Sequence, residues 1–219
     1  MKKPKYLLRS ELDEDMILAL KNKDLKAVKL IREINSETEL LLDDEEAYQI
    51  YVTLKACNKL EGEVAELGVY KGASAKLMCE ATNKKVHLFD TFKGLPKPQE
   101  VDKKEGFQEF EEQEFTASRK EVEKYLSKYK NWIIHEGMFP ETARVVENKT
   151  FCFVHLDLDL YKSTKSALEF FWPRMVKGGC IIVHDYIQAI GVREAVDEFF
   201  EDKNAVPIEL YLRQCLIVK

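Results

Sequence analysis

The sequence has no C-x-x-C pair; its five cysteines (Cys57, Cys79, Cys152, Cys180, Cys215) are odd in number, far apart and mostly inside apolar stretches. That pattern points away from a disulfide framework and reads as reduced core thiols. It has no surplus of positive charge either: 34 Lys and Arg against 39 Asp and Glu give a net charge of −5, so nucleic acid is not an expected partner. The opening "MKKPKYLLRSELDEDM" has only a two-leucine apolar run before charges return, too little for a signal-peptide core or a membrane span. The expectation is a cytoplasmic protein with no membrane partner. Internal repeats and low-complexity tracts are also missing. What remains, 45% hydrophobic and 33% charged residues over 219 positions, fits one large globular domain or a domain with an appendage.

Residues 1–61 carry helical periodicity. "LDEDMILALKNKDLKAVKLIREI" spaces its apolar residues by three and four, and "DDEEAYQIYVTLKACNKL" opens with acids suited to a helix N-terminus. This N-terminal helical region reads as a cap or a dimer contact, which leaves a homodimer open. From Gly62 to Lys219, short apolar runs ("EVAEL", "KVHLFD", "NWIIHE", "FCFVHLDLD", "GCIIVHD") alternate with amphipathic helical patterns. Such alternation predicts an α/β fold, a doubly wound and mainly parallel sheet covered on both faces. Ser118 and Glu121 are spaced as a capping box, and "IELYLRQCLIVK" predicts a closing antiparallel hairpin. The connection from Thr91 to Ala117 is unusually long, which reads either as a lid or as a solvated insertion with a small amphipathic helix.

The turn in "GEVAELGVYKGASAKLM" follows the first predicted strand, the position that faces the ligand crevice of an open parallel sheet. Gly68 and Gly72 permit a sharp turn and close approach, and Ser74 stands at a helix start whose N–H groups favour an anion. The turn is neither G-x-G-x-x-G nor a P-loop; E-x-G-x-x-x-G, with Glu66 ahead of Gly68 and Tyr70 between the glycines, resembles the S-adenosylmethionine (SAM) turn of class I methyltransferases. Asp90, at the end of "VHLFD" and twenty-four positions after Glu66, is placed to accept hydrogen bonds from ribose hydroxyls.

Asp157 and Asp159 end the fourth predicted strand, and His184 and Asp185 end the fifth. Four ionisable groups at neighbouring strand ends need a cation, a proton or hydrogen bonds to be buried. Oxygen donors suit Mg2+, Ca2+ or Mn2+, and an imidazole moves the preference toward Mn2+, Fe2+, Co2+ or Zn2+. A cation beside a hydroxyl, with a free carboxylate or imidazole to take its proton, is the chemistry of O-methyl transfer. Of the other histidines, His87 reads as core, His135 as a candidate for the crevice wall and His155 as a partner behind Asp157.

"VAELGVYKGASAKLM", "LFDTFKGLP", "EGMFPETA", "VHLDLDLYKSTKSALEFFWPRMVKGGCIIVHDY" and "GVREAVDEFF" resemble, in order and approximate spacing, the macrocin O-methyltransferase (TylF/MycF-like) family. The resemblance implies a class I methyltransferase fold with SAM across Glu66, Gly68, Tyr70, Gly72 and Ser74, its ribose at Asp90, and Gly137 and Met138 completing its site. It implies Mg2+ or Mn2+ ligands at Asp157, His184 and Asp185, with Asp159 as the proposed base and sugar or small-molecule hydroxyls as acceptors. The family commonly has an acidic pair where this chain has His184 and Asp185, so His184 is at once a candidate ligand and a candidate base. Two rival readings are an NAD- or nucleotide-sugar-dependent enzyme on a similar sheet and a SAM-binding protein without catalysis.

Overall fold

The computed structural model describes residues 24–219. Seven strands form one sheet in the order β3-β2-β1-β4-β5-β7-β6: β1 Glu63–Leu67, β2 Val86–Asp90, β3 Trp132–Glu136, β4 Phe151–Leu156, β5 Met175–Val183, β6 Ile208–Glu209 and β7 Cys215–Val218. β1 to β5 are parallel, while β7 pairs antiparallel with both β5 and β6. The predicted doubly wound sheet and closing hairpin are therefore observed, although β6 has only two residues. Strand order reverses between β1 and β4, and the ends of these two strands carry the glycine turn and the D-x-D segment.

Among the described residues, six helices cover the sheet: α1 Leu25–Glu37, α2 Asp44–Cys57, α3 Ala73–Ala81, α4 Arg119–Tyr125, α5 Tyr161–Phe171 and α6 Ile190–Phe200. The "LDEDMILALKNKDLKAVKLIREI" pattern is broken at Asp24, whose side chain caps α1 by accepting from the Lys26 N–H; the part before Asp24 lies outside the described residues. α1 and α2 bury Ala27, Ile31, Ile34, Ile50 and Leu54 against Val64, Phe153 and Ile182 of the sheet, with α3 and α4 on the same face. On the other face α5 and α6 bury Leu168, Phe171, Val192 and Val196 against Leu67, Val154, Leu156 and Ile181. Every residue of β4 is buried, the signature of a central parallel strand. Lys76 of α3, only 1% exposed, reaches Glu33 of α1 at 2.7 Å, so an ion pair at the rim ties α1 to α3.

All five cysteines are free, four of them buried and Cys180 half-buried, in keeping with reduced core thiols. Among the described residues no helix is long and apolar enough to cross a membrane.

Candidate active site

A cavity of about 340 Å³ opens at the carboxyl ends of the parallel strands, within the size range of small-molecule sites. Gly68 and Tyr70 enter its lining from the glycine turn, Asp90 from the end of β2, and Gly137 and Met138 from the loop after β3. Asp157, Asp159, His184 and Asp185 line the opposite side. Glu66, Gly72 and Ser74 lie outside the lining. Glu66 is fully buried on the α1–α3 face, where the Nδ1 of His155 on β4 lies 3.1 Å from its carboxylate. Burial pushes the Glu66 carboxyl above its ordinary range, against the pull of His155. His155 is thus the partner of Glu66 rather than of Asp157. Gly72 is the left-handed N-cap of α3, at φ +80°.

Gly68 has a sharper reason to be glycine than ligand access. Its φ is +87°, and a Cβ there would stand 1.8 Å from the Asp157 carbonyl oxygen. The end of β1 and the D-x-D segment after β4 therefore meet backbone to backbone, and the Asp157 N–H donates to the Leu67 carbonyl at 2.9 Å.

Asp90 organises the turn on the other side. Its Oδ2 accepts from the N–H groups of Val69 (2.7 Å) and Tyr70 (2.8 Å), and its Oδ1 accepts from the N–H of Phe92 (2.6 Å). Tyr70 and Phe92 have φ of +50° and +56°, a left-handed geometry that bulky residues adopt only when the surroundings impose it. One carboxylate thus holds both strained residues. A carboxylate has about four acceptor sites; these N–H groups take three, leaving one, on Oδ1.

On the acidic side, Asp157, His184 and Asp185 each offer one ligand atom, all within 4.8 Å of one another. The Nδ1 of His184 lies 3.0 Å from Asp185 Oδ1 and 3.1 Å from Asp157 Oδ1. Neither oxygen lies along its N–H direction, so this buried nitrogen has no aligned hydrogen-bond partner. A nitrogen facing two carboxylate oxygens without bonding either fits a divalent cation at their common centre, and the N,O,O donor set suits the borderline metals. Burial pulls the His184 imidazole down, but the Asp157 and Asp185 carboxylates outweigh it and hold His184 well above the ordinary histidine range. Asp159, 8% exposed and at φ +61°, is raised well above the carboxylate range by burial and by the neighbouring charges of Asp185 and Asp157.

Three contributors to this side carry no motif. Gln188 donates to Asp185 Oδ1 at 2.6 Å. Arg213, on the hairpin before β7, lines the cavity and forms a salt bridge to Glu46 of α2 at 2.6 Å. Glu46 in turn lies 3.3 Å from the Nε2 of His184. Asp43 and Glu46 have the D-x-x-E spacing of a capping box, and the Asp43 N–H donates to Glu46 Oε2 at 2.9 Å, but that spacing marks a helix start rather than a site.

The long connection walls the cavity with Leu95, Pro96, Gln108 and Phe115. It is anchored: buried Asp102 accepts from the Tyr161 N–H at the start of α5 (2.7 Å), and the Gln108 N–H donates to the Gln188 carbonyl (2.8 Å). Its helical element is a short 3-10 turn at Glu100–Asp102 rather than an amphipathic helix; most of its residues are exposed, while Leu95, Pro96 and Phe115 face the cavity. His135 does not line the cavity; it stacks on Phe89 at 4.6 Å and shares a 2.9 Å hydrogen bond with His87, itself 2.7 Å from Glu63.

The sheet order, the switch-point cavity and the acids at the ends of β4 and β5 define a class I methyltransferase fold. Solved structures agree: the O-methyltransferase NovP aligns with a TM-score of 0.72 and 22% identity over 84% of this chain and 83% of that one. The calicheamicin methyltransferase CalS11 aligns at TM-score 0.66 with 17% identity over 95% and 94%. An O-methyltransferase from Bacillus cereus in complex with SAH aligns at TM-score 0.61 with 12% identity over 94% and 96%. The chain belongs to the macrocin O-methyltransferase (TylF) family, whose profile matches residues 48–211. Among characterised relatives it is 27% identical over 158 residues to demethyldecarbamoylnovobiocin O-methyltransferase of Streptomyces niveus, covering 65% of this chain and 59% of that protein. It is also 29% identical over 152 residues, 63% of this chain and 58% of the other, to a tetracenomycin rhamnosyl 4'-O-methyltransferase of Streptomyces olivaceus. The aligned region thus spans about three fifths of the length of these relatives.

Proposed function

We propose that this protein is a SAM-dependent O-methyltransferase that acts, with a divalent cation, on a hydroxyl of a small molecule or sugar. The observation that carries the reading is the meeting, in one cavity, of the Asp90-braced glycine turn and the Asp157, His184 and Asp185 donor set. Both characterised relatives are named as O-methyltransferases, one of them acting on a rhamnosyl group. The free cysteines favour a cytoplasmic setting.

SAM supplies an electrophilic methyl group on a sulfonium. The open acceptor site on Asp90 Oδ1 would take one ribose hydroxyl, with Gly68 and Tyr70 along one side and Gly137 and Met138 along another. Asp157, His184 and Asp185 would hold the cation, Mg2+ or Mn2+ among the candidates, which lowers the pKa of an adjacent hydroxyl. Asp159 would take the acceptor's proton, and burial among like charges raises its basicity. His184, with Nε2 toward Glu46 and Nδ1 toward Asp157 and Asp185, serves as a ligand rather than the base. The wall from Leu95 to Phe115 keeps bulk water from the sulfonium and turns an apolar surface toward the acceptor.

The test is calorimetric titration of the protein with SAM and with NAD, each with and without Mg2+ or Mn2+. Saturable SAM binding weakened by Asp90→Ala supports the reading; NAD binding without SAM binding would overturn it. Methyl transfer to a panel of glycosides and phenols then separates an enzyme from a SAM-binding protein.

A further inference from the structure

We infer that Glu46, on the N-terminal helix α2, positions His184 for cation binding by holding its Nε2, so that Nδ1 is left facing Asp157 and Asp185. The inference rests on the metal-site reading above and adds what orients the imidazole and what sets cation choice.

The Glu46 side chain is fully buried and its carboxylate is held from every side. Oε2 accepts from Arg213 Nη2 (2.6 Å) and the Asp43 N–H (2.9 Å) and lies 3.3 Å from His184 Nε2. Oε1 accepts from the Arg213 N–H and from Arg213 Nε, both at 3.1 Å. A carboxylate so restrained cannot swing away from the imidazole. A carboxylate on one ring nitrogen holds a proton there, so that a cation displaces the proton of the other nitrogen and takes its lone pair. That other nitrogen is His184 Nδ1, the buried atom without an aligned partner.

The arrangement joins elements far apart in sequence: α2, the end of β5 and the hairpin before β7. Glu46 stands two residues before the region matched by the family profile begins. An imidazole ligand needs an orienting partner, and α2 provides one. The N,O,O set then favours Mn2+, Co2+ or Zn2+ over Mg2+.

A role for Glu46 in capping α2 and pairing Arg213 alone would leave cation preference and histidine tautomer unmoved by its loss, which separates the two accounts. Mn2+, Zn2+ and Mg2+ are titrated calorimetrically, without SAM, into the wild type and Glu46→Gln, with Asp157→Asn as the control that removes the site. Glu46→Gln is expected to weaken Mn2+ and Zn2+ binding about 10- to 100-fold and to lower the preference for Mn2+ over Mg2+. In parallel, a long-range 1H–15N spectrum of the zinc-loaded wild type, assigned with His184→Gln, should show His184 protonated at Nε2 and shifted by zinc at Nδ1. If Glu46→Gln does not fold, this wild-type spectrum decides. A proton on Nδ1, zinc on Nε2, or an unchanged Mn2+ to Mg2+ ratio in a folded Glu46→Gln protein would overturn the role of Glu46 while leaving the metal site in place. Absence of any Mn2+ or Zn2+ binding sensitive to Asp157→Asn would overturn the metal site, and the inference with it.

Discussion

The two sides of the cavity are built by different means. On the glycine-turn side the geometry is local: one carboxylate, Asp90, gathers three backbone N–H groups within twenty-four residues of chain and so holds Tyr70 and Phe92 in left-handed conformations. On the acidic side the geometry is long-range: α2, the ends of β4 and β5 and the C-terminal hairpin each send one or two side chains to a common point. A backbone-built site tolerates exchange of most exposed side chains but not of its brace or its glycine. A side-chain-built site loses its chemistry when any one member goes, and keeps its shape.

The largest effect should come from the acidic side. Asp157→Ala is expected to lower methyl transfer at least about 10³-fold, as loss of a cation's charge stabilisation does, while SAM affinity measured by calorimetry stays within about twofold. Comparable turnover in the variant would remove the acidic side from the reaction. Gly68→Ala strikes the seam between the sides: the added Cβ would meet the Asp157 carbonyl at 1.8 Å at a φ of +87°. Urea unfolding should show a loss of about 3 kcal/mol, with SAM and cation binding weakened together.

Asp90→Ala should weaken SAM binding and also cost about 2 kcal/mol of stability, since it orphans three N–H groups at two strained residues; a variant that loses affinity with an unchanged unfolding curve would show that Asp90 is no brace. Asp102→Ala removes the side chain that accepts from the start of α5 and should cost about 1 kcal/mol, or a fall of about 2–4 °C in Tm, while raising the KM of the acceptor through a looser wall.

The last effect concerns neither side and so calibrates the comparison. Burial and the neighbouring His87 lower the His135 pKa to about 4, against 6.5 for a free histidine. The unfolded chain therefore binds a proton that the native state refuses, and stability present above pH 6.5 is lost as the pH falls toward 4. Glu63 and Lys149, the charged neighbours of His87, complete the cluster. Urea midpoints at pH 7.5 and pH 5 should differ less in His135→Phe, which keeps the stacking on Phe89, than in the wild type.

Much of the glycine-turn side could be read in the sequence because its parts are close together. E-x-G-x-x-x-G after an apolar run, and an aspartate ending the next run, place Gly68, Tyr70 and Asp90 by chain connectivity alone. Even so, Glu66, expected at the crevice, is turned by alternation along β1 to the α1–α3 face, beneath His155. Which face a strand residue takes depends on what covers the sheet, and that is not written in the strand. The long connection showed as an anomaly of length, but its role as a wall depended on Asp102 finding the start of α5.

By itself the sequence determined the α/β order of elements, the positions of the two acid-bearing strand ends and the glycine turn, because periodicity and turn chemistry act over a few residues. Only the tertiary structure decided that Asp90 braces two left-handed residues, that Gly68 is required by the Asp157 carbonyl, and that Glu46 and Arg213 belong to the His184 cluster. These contacts span up to 167 positions of chain. They depend on strand order and helix packing, whose outcome is a sum over the whole core and leaves no local mark.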